Sequence, residues 1–183
     1  MELEELGIKG AWLAKSQIHW DERGLFREWF KASDLEEKIG RDFSVAQANI
    51  STSNKDVIRG IHFSTARAGQ GKWITCTAGS IWDVVVDVRP NSSTFKKWIG
   101  LTLDSISGEA IFISEGLGHG FISLEDNSTV AYLLTSPYSA EDEFGIHPLD
   151  SDLAITWPAQ NPHLSDKDAH APSFEEWLGG KEF

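Results

Sequence analysis

Apolar and polar positions alternate along most of this chain in short runs. Phe43 to Ile50 (FSVAQANI) alternates strictly, so an extended strand there would put Phe43, Val45, Gln47 and Asn49 on one face. The same reading predicts strands at Ala11–Ile18, Leu25–Phe30, Val57–Phe63, Trp73–Thr77, Ser80–Val88, Lys97–Leu103, Ala110–Ile113, Gly120–Leu124 and Thr129–Thr135. Short connections rich in Gly, Ser, Asn and Asp separate them, including a polar turn over Ser51–Asp56. One helix stands out, Ser33 to Gly40, with Ser33 and Glu36 spaced as a capping box and Gly40 at the expected stop. The chain turns irregular after Pro137, and Pro172 to Leu178 suits a short closing helix. Many short strands with turn punctuation predict an all-β fold, a β-sandwich or small barrel with one or two short helices. No linker divides the chain, so residues 1–183 are expected to form one domain.

Ile58 to Lys72 (IRGIHFSTARAGQGK) concentrates the chemistry. It leaves a strand, crosses a Gly-rich loop and re-enters a strand, which reads as a hairpin-like unit. Arg59 can hold an anion, His62 can move a proton near neutral pH, and Lys72 can stabilise a developing oxyanion.

Composition narrows the partners. The net charge is −12, which argues against nucleic acid or an anionic membrane surface while leaving room for a small anion held by a few focused cations. The single cysteine, Cys76, rules out a disulfide within the chain and fits a reducing, cytoplasmic setting, as does a start without the basic and apolar regions of a secretory signal. The longest apolar run, Ile81 to Val88, is broken by Asp83 and too short to span a bilayer.

Several polar residues stand where burial is expected. Gln47 and Asn49 interrupt an apolar face, and they either bridge strands or bind a ligand. His62 fits a catalytic base or a satisfied core histidine; a base would need an orienting carboxylate, and Asp166 and Asp168 in LSDKD are available types. Lys72 also fits a solvated surface lysine. Tyr132 lies among apolar residues in a chain that otherwise fills space with ten phenylalanines, so its hydroxyl carries either chemistry or a structural hydrogen bond. A second histidine, His119, raises the question of a metal. Such sites take two or three His plus a carboxylate, yet the positions near His62 hold Ser64, Gln70 and Lys72, and an ammonium repels a cation; no metal is expected.

The stretches DERGLFREWF, VAQANISTS, VIRGIHF, QGKWITCTAGSIWDVVVDVR, SSTFKKW, ISEGLGHGF, VAYLLTSPYSAEDEFGI, ITWP and LSDKD, taken together and in order, resemble the dTDP-4-dehydrorhamnose 3,5-epimerases of deoxysugar biosynthesis. The resemblance runs from about residue 8 to residue 175. It departs at Ser114, where the family often has proline in PxGxxHGF.

That resemblance implies a cupin-type jelly roll forming a homodimer, with a dTDP-sugar substrate and no metal or organic cofactor. It implies His62 as general base, Asp168 as its orienting carboxylate, Lys72 as the enolate-stabilising group and Tyr132 as the acid on the opposite face. Arg23 and Arg59 match residues that hold the diphosphate, and His119 matches one close to it. Glu28, Gln47 and Asn49 match the nucleotide and sugar site, with Phe26, Tyr138 and Glu143 near the thymidine pocket. The implied reaction inverts carbons 3 and 5 of dTDP-4-dehydro-6-deoxy-D-glucose. A mono-epimerase, a non-catalytic nucleotide-sugar binding module and a metal-dependent cupin are the alternatives.

Overall fold

A strand covered on both faces is apolar at both parities, and the run from Ile81 to Val86 is such a strand. Ile81 and Val85 point into a core between two sheets, while Val84 and Val86 point the other way, under Trp157, Phe174 and Trp177 of the C-terminal segment.

The computed structural model describes residues 1–65 and 69–180. The elements in chain order are β1 (Glu2–Glu5), β2 (Ala11–Lys15), β3 (Ile18–Asp21), β4 (Gly24–Arg27), α1 (Ala32–Ile39), β5 (Gln47–Ser53), β6 (Ile58–Ser64), β7 (Lys72–Ala78), β8 (Ser80–Asp87), β9 (Trp98–Asp104), β10 (Ala110–Ile113), β11 (Leu117–Ser123), β12 (Ser128–Leu134), β13 (Glu143–Gly145), α2 (Asp166–Ala169) and α3 (Phe174–Gly179). Six strands form one sheet in the order β1-β2-β10-β7-β12-β5, and five form a second in the order β13-β6-β11-β8-β9; β3 and β4 make a separate hairpin. The sheets face each other across Ile74, Cys76, Ile111 and Val130 from the first and Ile81, Val85, Leu103 and Phe121 from the second. The outer face of the first sheet is covered by α1 and its flanks, through Leu35 and Phe43 packed on Trp73, Phe112 and Leu133. The all-β sandwich expected from the periodicity is therefore present.

Four sequence expectations change. The Ile58–Lys72 stretch is not a hairpin: β6 and β7 lie in different sheets, because β7 pairs with β10 and β12 instead. Residues 66–68 of the expected Gly-rich loop lie outside the described residues. The capping box at Ser33 is absent. The N-cap is Lys31 without a side-chain bond, and Glu36 Oε1 accepts from the Phe43 N–H at 2.9 Å, while the C-cap Gly40 is left-handed at φ 71° as expected. The pattern does occur at Ser173 and Glu176, where it caps α3. Finally, β5 begins at Gln47 and continues to Ser53, so Phe43 packs against α1 and Val45 is exposed, off the face that Gln47 and Asn49 occupy. The run expected at Ala11–Ile18 splits between β2 and β3.

One buried acid holds a long turn in place. Asp87 has no exposed surface, and its oxygens accept from Arg89 Nε and Nη2 (2.8 Å each), Ser92 Oγ (2.5 Å) and Thr94 Oγ1 (2.6 Å). Burial pushes its carboxyl up, but the bonds from Arg89, Ser92 and Thr94 win and bring it down to about 2. A depressed carboxyl stabilises the fold fully above its ordinary value of 3.8, and that contribution is lost as pH falls towards about 2. Asp87→Ala should cost about 3–5 kcal/mol, since Arg89 loses its partner. Chemical denaturation at pH 7 reads the loss, which should shrink in acid.

Candidate functional site

Three neighbouring strands of the six-stranded sheet carry polar side chains at matched positions on their inward faces. Leu134 lies opposite both Gln47 and Lys72, and Tyr132 opposite Asn49 and Ile74. Across the gap, His62 on β6 and His119 on β11 are register partners. These rows line a cavity of about 510 Å³ at one end of the sandwich, the range of small-molecule sites. The segment carrying His163, Ser165, Lys167 and Asp168 forms another part of its wall.

His62 and Asp168 are 106 positions apart and meet in a hydrogen bond. Nε2–H donates to Asp168 Oδ1 at 2.6 Å, which leaves Nδ1 as the acceptor side of the ring. Asp168 is buried within α2, whose N-cap Ser165 accepts from its N–H at 3.1 Å. Burial pushes its carboxyl up, but hydrogen bonding and charge from His62, aided by Ser165 and Gly60, hold it below the usual range. A carboxylate therefore stands on one ring nitrogen of His62, as a base at that position would require.

Lys72 is only 8% exposed, and its Nζ donates to the His62 carbonyl at 3.4 Å. Burial pushes the ammonium towards the neutral amine, while the charges of Glu143 and Asp83 oppose it. The surface-lysine reading is therefore wrong: this is an ammonium withdrawn from water and pointed into a cavity. Tyr132 lines the same cavity, and no bond to its hydroxyl is found among the described residues.

Gln47 and Asn49 bond to each other at 3.0 Å, and Gln47 Oε1 accepts from the Tyr138 N–H at 2.8 Å. Arg59 is braced by Ser53 Oγ at 2.9 Å and the Thr52 carbonyl at 3.3 Å, and no carboxylate pairs with it among the described residues. Its charge is available to an anion. Tyr138 and Glu143 stand at the wall as well.

Arg23, Phe26 and Glu28 are not brought into this cavity. They belong to the β3–β4 hairpin and its exit, where Phe26 is 70% exposed and Arg23 is paired with Asp21.

Sequence reasoning missed Asp83, which accepts from His119 Nε2–H at 2.7 Å. Its position was visible as an acid inside an apolar run, at the parity that faces the core. Lys167, inside LSDKD, was missed as a wall residue.

The family pattern described as dTDP-4-dehydrorhamnose 3,5-epimerase matches residues 5–176. The chain belongs to that family. It is 44% identical over 179 residues to the dTDP-4-dehydrorhamnose 3,5-epimerase of Mycobacterium tuberculosis, covering 96% of this chain and 89% of the relative. Among solved structures, it resembles NovW, a 4-keto-6-deoxy sugar epimerase from the novobiocin cluster of Streptomyces spheroides. That match has a TM-score of 0.96 and 43% identity over 98% of this chain and 90% of the other. It also resembles ChmJ, a 3′-monoepimerase from Streptomyces bikiniensis in complex with dTDP-quinovose, with a TM-score of 0.91 and 42% identity over 95% and 89% of the two chains. The family assignment agrees with the resemblance read from the motifs, and the sandwich is the jelly roll it implied.

Proposed function

We propose that this epimerase inverts carbons 3 and 5 of dTDP-4-dehydro-6-deoxy-D-glucose by proton removal alpha to the 4-ketone and reprotonation from the other side. One observation carries the reading. His62 comes from the five-stranded sheet and Tyr132 from the six-stranded sheet, so a ring bound between them meets a base on one face and an acid on the other. Inversion needs that arrangement, because a single base would return the proton to the face it left.

In this reading His62 Nδ1 takes the carbon-bound proton, and the electron pair moves to the carbonyl oxygen as an enolate. Lys72 donates to that oxygen. Collapse of the enolate then takes a proton from Tyr132 at carbon, and solvent restores both groups. Arg59 holds the diphosphate. No metal or organic cofactor is needed for any step, and stoichiometric, tightly bound iron, manganese or zinc in the purified protein would contradict the reading.

Incubation with dTDP-4-keto-6-deoxyglucose in heavy water tests it. Deuterium at both carbons 3 and 5, with both centres inverted, is the expected result. Label at carbon 3 alone would favour the mono-epimerase, a reading supported by the match to ChmJ. No label with substrate bound would leave a binding module.

The protein is further proposed to act as a homodimer in the cytoplasm. The β3–β4 hairpin exposes Trp20 (63%) and Leu25 (41%) on one face and Phe26 (70%) on the other, apolar surface suited to a second copy, and it carries Arg23 and Phe26 while Glu28 follows directly. These three expected site residues, remote from their own cavity, would then serve the partner's. Among the described residues no helix is long and apolar enough to cross a membrane.

A further inference from the structure

Four acids are buried in the described part of this chain: Asp83, Asp87, Asp150 and Asp168. Three of them have evident partners. Asp87 holds its turn, Asp168 holds His62, and Asp150 accepts from the N–H groups of Asp152, Leu153 and Phe174. Asp83 differs. It has no exposed surface, Oδ2 accepts from His119, and Oδ1 is sealed from solvent without a hydrogen-bond partner among the described residues. Its neighbours at the same parity on β8 are Ile81 and Val85, both core residues, so an apolar side chain would suit the position. A buried carboxylate with a spare oxygen is costly unless its charge has use.

Lys72 supplies that use. It is a buried ammonium that donates to the His62 carbonyl at 3.4 Å. A charge so placed requires an opposite charge nearby. The titratable and charged groups of its cavity are Glu143 from β13, His119 from β11 with Asp83 from β8 behind it, Tyr132 from β12, Arg59 and His62 from β6, Tyr138, and His163, Lys167 and Asp168 from the C-terminal segment. The charges of two of these carboxylates, Glu143 and Asp83, favour the ammonium form of Lys72. Only Asp83 also holds a cavity histidine.

We infer that Asp83 is a positioning residue for the epimerase: its carboxylate fixes the His119 ring on the cavity wall and supplies the buried negative charge that keeps Lys72 an ammonium ready to donate to the enolate oxygen. The inference rests on the epimerase reading above, and it extends that reading to a residue that touches no substrate. Two His–Asp pairs then stand side by side, with His62 working on carbon and His119 held still beside it.

Asp83→Asn keeps the shape and removes the charge. Its kcat for exchange of dTDP-4-keto-6-deoxyglucose in heavy water should fall about tenfold, and the alkaline limb of the kcat profile should move to lower pH by about one unit, as Lys72 loses its proton more readily. KM should stay within about twofold, because the diphosphate is held at Arg59. A profile that superimposes on that of the wild type would overturn the inference. If the wild type itself shows no exchange, the epimerase reading fails instead, and nitrogen-15 NMR of the wild-type protein without substrate still decides on Asp83. His119 should show a fixed Nε2–H tautomer with a downfield ring proton, and Lys72 should read as an ammonium at pH 7. A His119 ring averaging between tautomers, or a neutral Lys72 amine, would overturn the inference even if the Asn variant did not fold.

Discussion

Replacing His62 by Asn should lower turnover of dTDP-4-keto-6-deoxyglucose by about 10³-fold or more while leaving dTDP binding nearly unchanged. An acid–base group contributes roughly 10²–10⁴-fold, and in the proposed mechanism the same side chain starts both inversions. Asparagine retains a polar tip near Asp168, so the buried carboxylate is not left wholly unpartnered and the fold should survive. Isothermal titration with dTDP checks binding, and solvent exchange at carbons 3 and 5 checks the chemistry. Loss of exchange at both carbons supports one shared base. Exchange that persisted at one carbon would assign that carbon to another group, and unchanged turnover would remove His62 from the mechanism.

Lys72→Met should have the second largest effect. Methionine fills a similar volume but offers no charge and no donor. Loss of one preorganised oxyanion donor costs about 10²–10³-fold in kcat. The enolate oxygen bears charge only after the proton has left, so the deficit should appear in kcat more than in KM. A variant whose KM rose while kcat held would place Lys72 on the ground state, at the nucleotide or the diphosphate, and not on the enolate. Steady-state kinetics at saturating substrate separate the two.

Much of this architecture was legible from the alternation of apolar residues, because a strand half-buried in a sheet must show period two. Partnership between strands was not. The Ile58–Lys72 stretch has the look of a hairpin, yet β7 pairs with residues that come 35 to 62 positions later, and no local feature records that choice. The consequence for the site is large: His62 and Lys72, ten positions apart, arrive from opposite sheets. From the residues alone Asp168 was one of two acids available in LSDKD, and only the family resemblance singled it out, since a contact spanning 106 positions leaves no periodic trace. Asp83 was hidden differently. It was plain in the sequence as an interruption of IWDVVVDV, but an acid in an apolar run says only that the run is unfit for a membrane until the neighbouring strand shows His119 against it. The Ser33–Glu36 spacing misled because Glu36 had a better acceptor role, on the Phe43 N–H that turns the chain into β5.

The placement of His62 and Tyr132 in different sheets has a consequence for the proposed stereochemistry. Facing sheets are kept roughly 10 Å apart by the side chains between them. In this protein those spacers include Val85, Leu103 and Ile111, none of which lines the cavity. The sandwich is therefore a calliper, and its jaw width is set by core packing at a distance from the sugar. Which hydrogens can be delivered, and to which side, becomes a matter of thickness: enlarging or trimming a spacer resets the gap across the ring without altering a single reactive group.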